Sequence, residues 1–363
     1  MQSFFGEFSN GNPSRIPNKT LKTTISFTFA ALKYTIMAKV LGVGNALVDL
    51  LIHLENDNLL LELKLPKGSM TLVDEIIKAL IDEKTKLLKR EMASGGSAAN
   101  TIHGLASLGI ETAFIGSIGN DSIGEFFYQD LINSHIQPVL KRHQSPSGLA
   151  STLISLDGER TFGTYLGAAI ELSDDDLTPD QFEGYDIVHV EGYIVQNHRL
   201  LETILKFAKQ AGAKISIDLA SYNVVEANLE FLQKMVAQYV DIVFANEEEA
   251  RAFTGKEPEE ALHDLKMMAD IAVVKIGSKG SLIKPGDAVM VVEPIAANPV
   301  DTTGAGDLYA AGFLYGLLMD LGFEKAGYIA SLLGGTVINQ PGAKIKPAEW
   351  DRIRKEINEL PFL

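Results

Sequence analysis

Asp301–Asp307 reads DTTGAGD, and the apolar run LYAAGFLYGLLM follows it without a break. Gly304, Ala305 and Gly306 carry almost no side chain, so successive N–H groups can close around an anion. The apolar run continues as a helix whose positive end faces the same point. Asp307 falls in the first turn of that helix, where a carboxylate can reach the anion site and take a proton from an attacking hydroxyl. Read by themselves, the seven residues also fit an ordinary loop in which Asp301 or Asp307 caps a buried helix.

Upstream of this stretch, DIVHV, KISIDL, DIVFA and IAVVKIG are apolar, β-branched runs separated by helical segments. That alternation predicts a parallel sheet covered on both faces, with ligands beyond the carboxyl ends of the strands. DIVFA runs into Asn246-Glu247-Glu248-Glu249, three acids that suit a helix N-terminus. Ser173-Asp174-Asp175-Asp176 reads as a capped acidic helix start and not as a metal cluster. Ile271–Gly280 is a buried strand with a glycine-flanked turn; GxxxxGK[ST] is absent, and Lys279 is expected in solvent. After a hairpin at Pro285–Asp287 and the organising stretch, a small-residue helix through Ile338 and a last helix over Pro347–Ile357, with Trp350 packing, close the core.

Towards the N-terminus, KVLGVG from Lys39 is a β-run ending in glycines, with Asn45 and Asp49 read at its carboxyl end. The third glycine of a dinucleotide fingerprint is missing, which disfavours a nicotinamide enzyme. Asn45 and Asp49 suit vicinal hydroxyls, and turn residues are the equal alternative. Thr71–Glu91 has helical periodicity. In ASGGSAAN, Ala93–Asn100, the glycine pair Gly95-Gly96 permits close approach of a ligand, and Asn100 offers a donor and an acceptor. The helix it opens stops near Gly109. TAFIGSIG is a core strand, followed by a helix after Asp121. SGLASTLISLDGERTFGTYLGAA alternates around Asp157-Gly158, a two-residue hairpin signal that predicts a separate small sheet. Arg160 and Tyr165 face either a substrate or solvent and packing.

The 363 residues suffice for one large α/β domain, and no stretch of about eighteen apolar residues lacks a charge. A formal charge of −15 argues against a nucleic-acid partner and is compatible with a small polar substrate. The absence of cysteine removes disulfides and thiolate chemistry and fits a reducing, cytoplasmic location. His53, His135 and His189 show no ligand spacing. Residues 1–37, with Arg15, Lys19, Lys22 and Lys33 against Glu7, do not follow the pattern. They are read as an N-terminal extension, disordered or loosely packed, or as a misassigned leader before a start at Met37.

DTTGAGD resembles the C-terminal signature of the ribokinase-like (PfkB) carbohydrate and nucleoside kinases, and Gly95-Gly96 with Asn100 resembles their GGxxxN signature about two hundred residues earlier. GNALVD is similar to the opening motif of adenosine kinases, and Asn246 with Glu249 to the family's NxxE. The resemblance, from about Lys39 onward, implies a doubly wound αβα sandwich with a mostly parallel central sheet over 38–363. A discontinuous β lid, roughly 47–70 and 149–167, would cover the substrate. It implies an ATP-dependent kinase for the primary hydroxyl of a nucleoside or sugar, adenosine (to AMP) first and a ribokinase- or fructokinase-like sugar kinase next; a non-catalytic metabolite-binding regulator is the alternative of another class. Asp307 would be the base, and Gly304, Ala305 and Gly306 the anion hole. Asn45, Asp49, Gly95, Gly96 and Asn100 would hold the substrate. Asn246, Gly277, Gly280, Thr302, Gly304 and Gly306 would meet ATP, and Asn246 and Glu249 would arrange Mg²⁺ through water. Some members use a K⁺, and the resemblance extends to one near Asp301 and Thr303 here. The protein would be a monomer or a homodimer joined through the lid, with no nucleic-acid or membrane partner.

Overall fold

The computed structural model describes residues 38–360; the reading of residues 1–37 lies outside them. In chain order the first elements are β1 (Lys39–Val43), β2 (Leu47–His53), α1 (Asn58–Glu62), β3 (Met70–Leu72), α2 (Glu75–Thr85), β4 (Arg90–Gly95) and α3 (Ser97–Ser107). Next come β5 (Glu111–Gly119), α4 (Ser122–Asn133), β6 (Ile136–His143), β7 (Gly148–Ile154) and β8 (Arg160–Tyr165). The βα repeat then resumes as β9 (Ile187–Glu191), α5 (His198–Gln210), β10 (Lys214–Asp218), α6 (Tyr222–Ala227), α7 (Leu229–Tyr239), β11 (Ile242–Asn246), α8 (Glu247–Thr254), α9 (Pro258–Met268) and β12 (Ile271–Lys275). The chain ends with the hairpin β13 (Ser281–Lys284) and β14 (Met290–Val292), then α10 (Ala305–Leu318), α11 (Phe323–Val337) and α12 (Pro347–Asn358).

The large sheet runs β14-β13-β12-β11-β10-β9-β1-β5-β6, parallel from β6 to β12 and antiparallel over the last hairpin. Its strands are apolar on both sides because helices cover both. Along β1, Val40 joins a core with Ile102, Phe244 and Phe313, whereas Leu41 joins one with Val188, Ile204 and Val243. This is the sheet covered on both faces that the alternation predicts, in the doubly wound αβα form that the resemblance implies.

A second sheet, ordered β3-β8-β7-β2-β4, draws on five separated segments. Three local expectations need correction. Asp49 is not at the end of the first strand: the chain leaves the large sheet after Val43, and Asp49 lies in β2, opposite Ala93 of β4. The helix expected over Thr71–Glu91 is confined to 75–85, since Thr71 pairs with Gly163 and Arg90 and Glu91 pair along β2. The β7–β8 connection is longer than two residues. Ser155 N–H bonds to the Glu159 carbonyl across a turn, and only Gly158 has a positive φ, 85°. A two-residue type I′ turn needs it at both central residues.

α10 carries small residues where it meets its neighbours. A methyl group on Gly104 of α3 would lie 2.7 Å from Ala311 Cβ, and one on Gly316 would lie 2.4 Å from Ala326 Cα of α11. The helices therefore pack with little between their backbones, and the N-terminal ends of α3 and α10 come together.

Candidate active site

Four neighbouring strands of the large sheet end in polar residues: Glu191 on β9, Asp218 on β10, Asn246 on β11 and Lys275 on β12. Strand carboxyl ends in open α/β sheets face the ligand crevice. A cavity of about 510 Å³ opens there, lined by Ser97, Asp218, Asn246, Lys275, Gly306 and Asp307 among others.

Asp307 and Asn100 are in contact although 207 residues apart: the Asn100 amide nitrogen donates to Asp307 Oδ2 at 2.8 Å. Ser97 Oγ donates to Oδ1 at 2.8 Å, and Thr101 Oγ1 donates to the Asp307 carbonyl at 3.1 Å. Only the NH₂ of an amide can donate to a carboxylate, so Asn100 Oδ1 must point the other way. It is buried and has no partner. Burial pushes the Asp307 carboxyl up to about 6, offset by the bonds from Asn100 and Ser97 and reinforced by Asp218. The carboxyl therefore changes its protonation state at about 6, close to neutral pH.

The other early residues gather beside it. A methyl on Gly95 would sit 2.4 Å from Asp49 Oδ2, and one on Gly96, whose φ is 97°, would sit 2.2 Å from the Asn45 carbonyl. Asn45 Nδ2 donates to Glu191 Oε1 at 2.7 Å, and Glu191 Oε2 accepts from Ala98 N–H at 3.2 Å. Glu191 is thus a buried clamp between the Asn45 loop and the start of α3. Burial raises it to about 7. Burial raises Asp49 to about 7 as well, with the Lys344 ammonium pulling the other way.

On the opposite wall, Lys275 Nζ donates to Asp218 Oδ2 at 2.6 Å and lies 3.0 Å from where a Gly306 methyl would be. Burial opposes its charge, but Asp218 and Glu249 outweigh that and hold its pKa above the ordinary lysine value. Asn246 and Glu249 form a reciprocal cap on α8: Glu249 N–H bonds to Asn246 Oδ1 at 2.8 Å, and Asn246 Nδ2 bonds to Glu249 Oε1 at 2.6 Å. Burial, with Asp218 adding repulsion, raises Glu249 to about 7. Glu247, Glu248 and Gly277 line the same cavity.

Thr302, Gly280 and Gly304 are not among the residues lining that cavity. Thr302 is exposed. A methyl on Gly280 would strike the Val292 carbonyl at 2.0 Å, and one on Gly304 would strike Ala343 Cβ at 2.6 Å, so neither position admits a side chain. Arg160 is not a solvent-facing hairpin arginine, because it pairs with Asp301 at 15% side-chain exposure. Tyr165 lies under the Lys78 ammonium, 5.2 Å from the ring centre. His189 is a core residue bonded to Ser216, and burial lowers it to about 4. Among the described residues no group of three or more His, Cys, Asp or Glu forms a metal site, and no helix is long and apolar enough to cross a membrane.

Ser97, Glu191, Asp218 and Lys275 escaped the sequence reading. Three of them end strands, and a charged residue closing an otherwise apolar parallel strand is the signal that marks them.

Residues 68–351 match the model of the pfkB family carbohydrate kinases. The chain is 31% identical to a probable sugar kinase of Rhizobium etli CFN 42, with a TM-score of 0.79 over 88% of this chain and 98% of that one. It is 30% identical to adenosine kinase from Sinorhizobium meliloti, with a TM-score of 0.78 over 88% and 99%. An uncharacterized sugar kinase of Archaeoglobus fulgidus is 29% identical over 242 residues, 66% of this chain and 96% of that protein. With the fold, the DTTGAGD helix start and these matches in agreement, the chain belongs to the pfkB family of carbohydrate kinases and is a sugar or nucleoside kinase.

Proposed function

We propose that the chain transfers the γ-phosphoryl group of ATP to the primary hydroxyl of a nucleoside, adenosine in first place. The observation that carries this reading is the contact between Asp307 and Asn100. The acid closing the late motif meets the amide of the early one, and Asn100 Oδ1 remains free to accept a hydrogen bond from a sugar hydroxyl. Asp49 and the Asn45 loop hold the remaining hydroxyls.

The acceptor hydroxyl lies against Asp307, which takes its proton as the oxygen attacks phosphorus in line. The N–H groups of Gly304 and Gly306 and the Lys275 ammonium bear the charge that develops on the transferring group, while the expected Ala305 N–H is already taken by the Thr302 carbonyl at 3.2 Å. The carboxylates of Asp218 and Glu249 suit a hydrated Mg²⁺ held through water, because their mutual repulsion is relieved by a cation while both oxygens of Glu249 already accept bonds from Asn246. When bound, such an ion neutralises the β- and γ-phosphates. The second sheet acts as a lid that excludes water from the acceptor.

The likeness to the Sinorhizobium meliloti adenosine kinase, together with GNALVD, favours adenosine; the likeness to the Rhizobium etli sugar kinase supports a free sugar as the second reading. ADP release measured with Mg·ATP across nucleosides, pentoses and hexoses separates them. Highest kcat/KM for adenosine supports the first reading, and a pentose or hexose ahead of every nucleoside replaces it with the second. No acceptor-dependent ADP from folded protein would leave the regulator.

A further inference from the structure

Arg160 projects from β8 of the second sheet and places its guanidinium on Asp301, the first acid of DTTGAGD. The pair is 15% and 4% exposed at its side chains. Asp301 Oδ1 accepts from Thr303 N–H at 3.1 Å and from Thr303 Oγ1 at 2.7 Å; Oδ2 accepts from Arg160 and from Gly342 N–H at 2.5 Å. Four donors fill the lone pairs of one carboxylate. The K⁺ expected beside Asp301 and Thr303 therefore does not fit: its oxygen ligand is spent, and a fixed positive charge stands beside it.

We propose that Arg160 is the chain's own monovalent cation at this loop, so that phosphoryl transfer here needs no K⁺. The same contact fastens the second sheet to the loop that leads to the Gly304 and Gly306 amides. Arg160 neutralises a buried acid at one end of that loop, and this lets the other end keep its N–H groups turned to an anion. Arginine suits the task because its charge is permanent and its planar fork satisfies a carboxylate without rearrangement. In this account Arg160 is a positioning residue. The turnover arm of the test rests on the kinase reading above, whereas the thermal arm does not.

The full chain is compared in KCl and in choline chloride at equal ionic strength, as wild type and as Arg160→Gln. Wild-type turnover should differ by less than about twofold between the salts, and its Tm should not move. Arg160→Gln should lose about 10- to 100-fold in kcat in choline, mostly without change in KM for the acceptor, the size expected for a misplaced anion hole. K⁺ should recover much of that loss and raise the variant's Tm by about 2–4 °C, as a ligand bound only by the folded state does. Activation of the wild type by K⁺ of about tenfold or more, on the order of 1.4 kcal/mol, would overturn the proposal. So would an Arg160→Gln protein whose turnover and Tm ignore K⁺. A wild type that releases no ADP with any acceptor defeats the kinase reading, and the Tm comparison still decides the cation site.

Discussion

The two ends of the 301–307 stretch hold aspartates six residues apart in opposite electrostatic surroundings. Asp301 is saturated by Arg160, Thr303 and the Gly342 amide. Asp307 is held by two uncharged donors, Ser97 and Asn100, within a wall that also contains Asp218, and its carboxyl is pushed up to about 6. The lone pairs of Asp301 are all taken by donors, whereas burial and the neighbouring Asp218 favour the protonated form of Asp307. The motif thus holds two acids with different partners, and of the two only Asp307 lines the cavity.

The sharpest way to break that contrast is Asp307→Asn, which should lower turnover by about 10²–10⁴ if Asp307 is the base. ADP release from the folded variant at a near-normal rate would place the two aspartates on an equal, structural footing. Lys275→Met removes a lysine lining the cavity and should lower kcat by about 10- to 10³-fold; a change confined to the KM for ATP would make Lys275 a ground-state contact. For the wild type, log kcat/KM should fall by about one per pH unit below about 6, because a protonated Asp307 cannot accept the hydroxyl proton. A flat profile down to pH ~5, measured where the protein stays folded, contradicts this.

Asp49→Ala should raise the KM for the acceptor by about tenfold, the worth of one lost hydrogen bond to a charged group, with kcat less affected. Unchanged acceptor affinity would return Asp49 to a lid-strand residue. The smallest effect is on stability. A carboxyl whose folded pKa is raised binds its proton more tightly when folded, so its contribution is favourable below the unfolded value and is lost as pH rises through about 6. At neutral pH, Asp307→Asn should therefore stabilise the fold by about 1–2 kcal/mol. Urea midpoints read this, and a destabilised variant would mean that the Ser97 and Asn100 bonds outweigh the burial cost.

Much of the large sheet was legible because β9, β10, β11 and β12 are short β-branched runs between amphipathic helices, a pattern with few competing readings. The second sheet was harder. β4 reads REMASG, which lacks β-branched residues and runs straight into the glycine signature, so its pairing with β2 is fixed by tertiary contact and not by propensity. In the site, Asp307, Asn100 and Asn45 could be named because each sits in a compact motif. Glu191 and Lys275 each close a different strand and acquire their partners only when the sheet assembles. Arg160 is the clearest case: 141 residues separate it from Asp301, and nothing local in DGERT distinguishes a buried latch from a solvated arginine.

If Asp307 is the base, the acceptor hydroxyl must lie against it. A crystal structure of the full chain with its best acceptor and a non-hydrolysable ATP analogue tests this directly. The primary hydroxyl oxygen should lie about 2.6–3.2 Å from an Asp307 carboxylate oxygen, with a neighbouring hydroxyl on Asn100 Oδ1. A primary hydroxyl that instead meets Asp218, or that points away from every carboxylate and from the analogue's γ-phosphate, would contradict it.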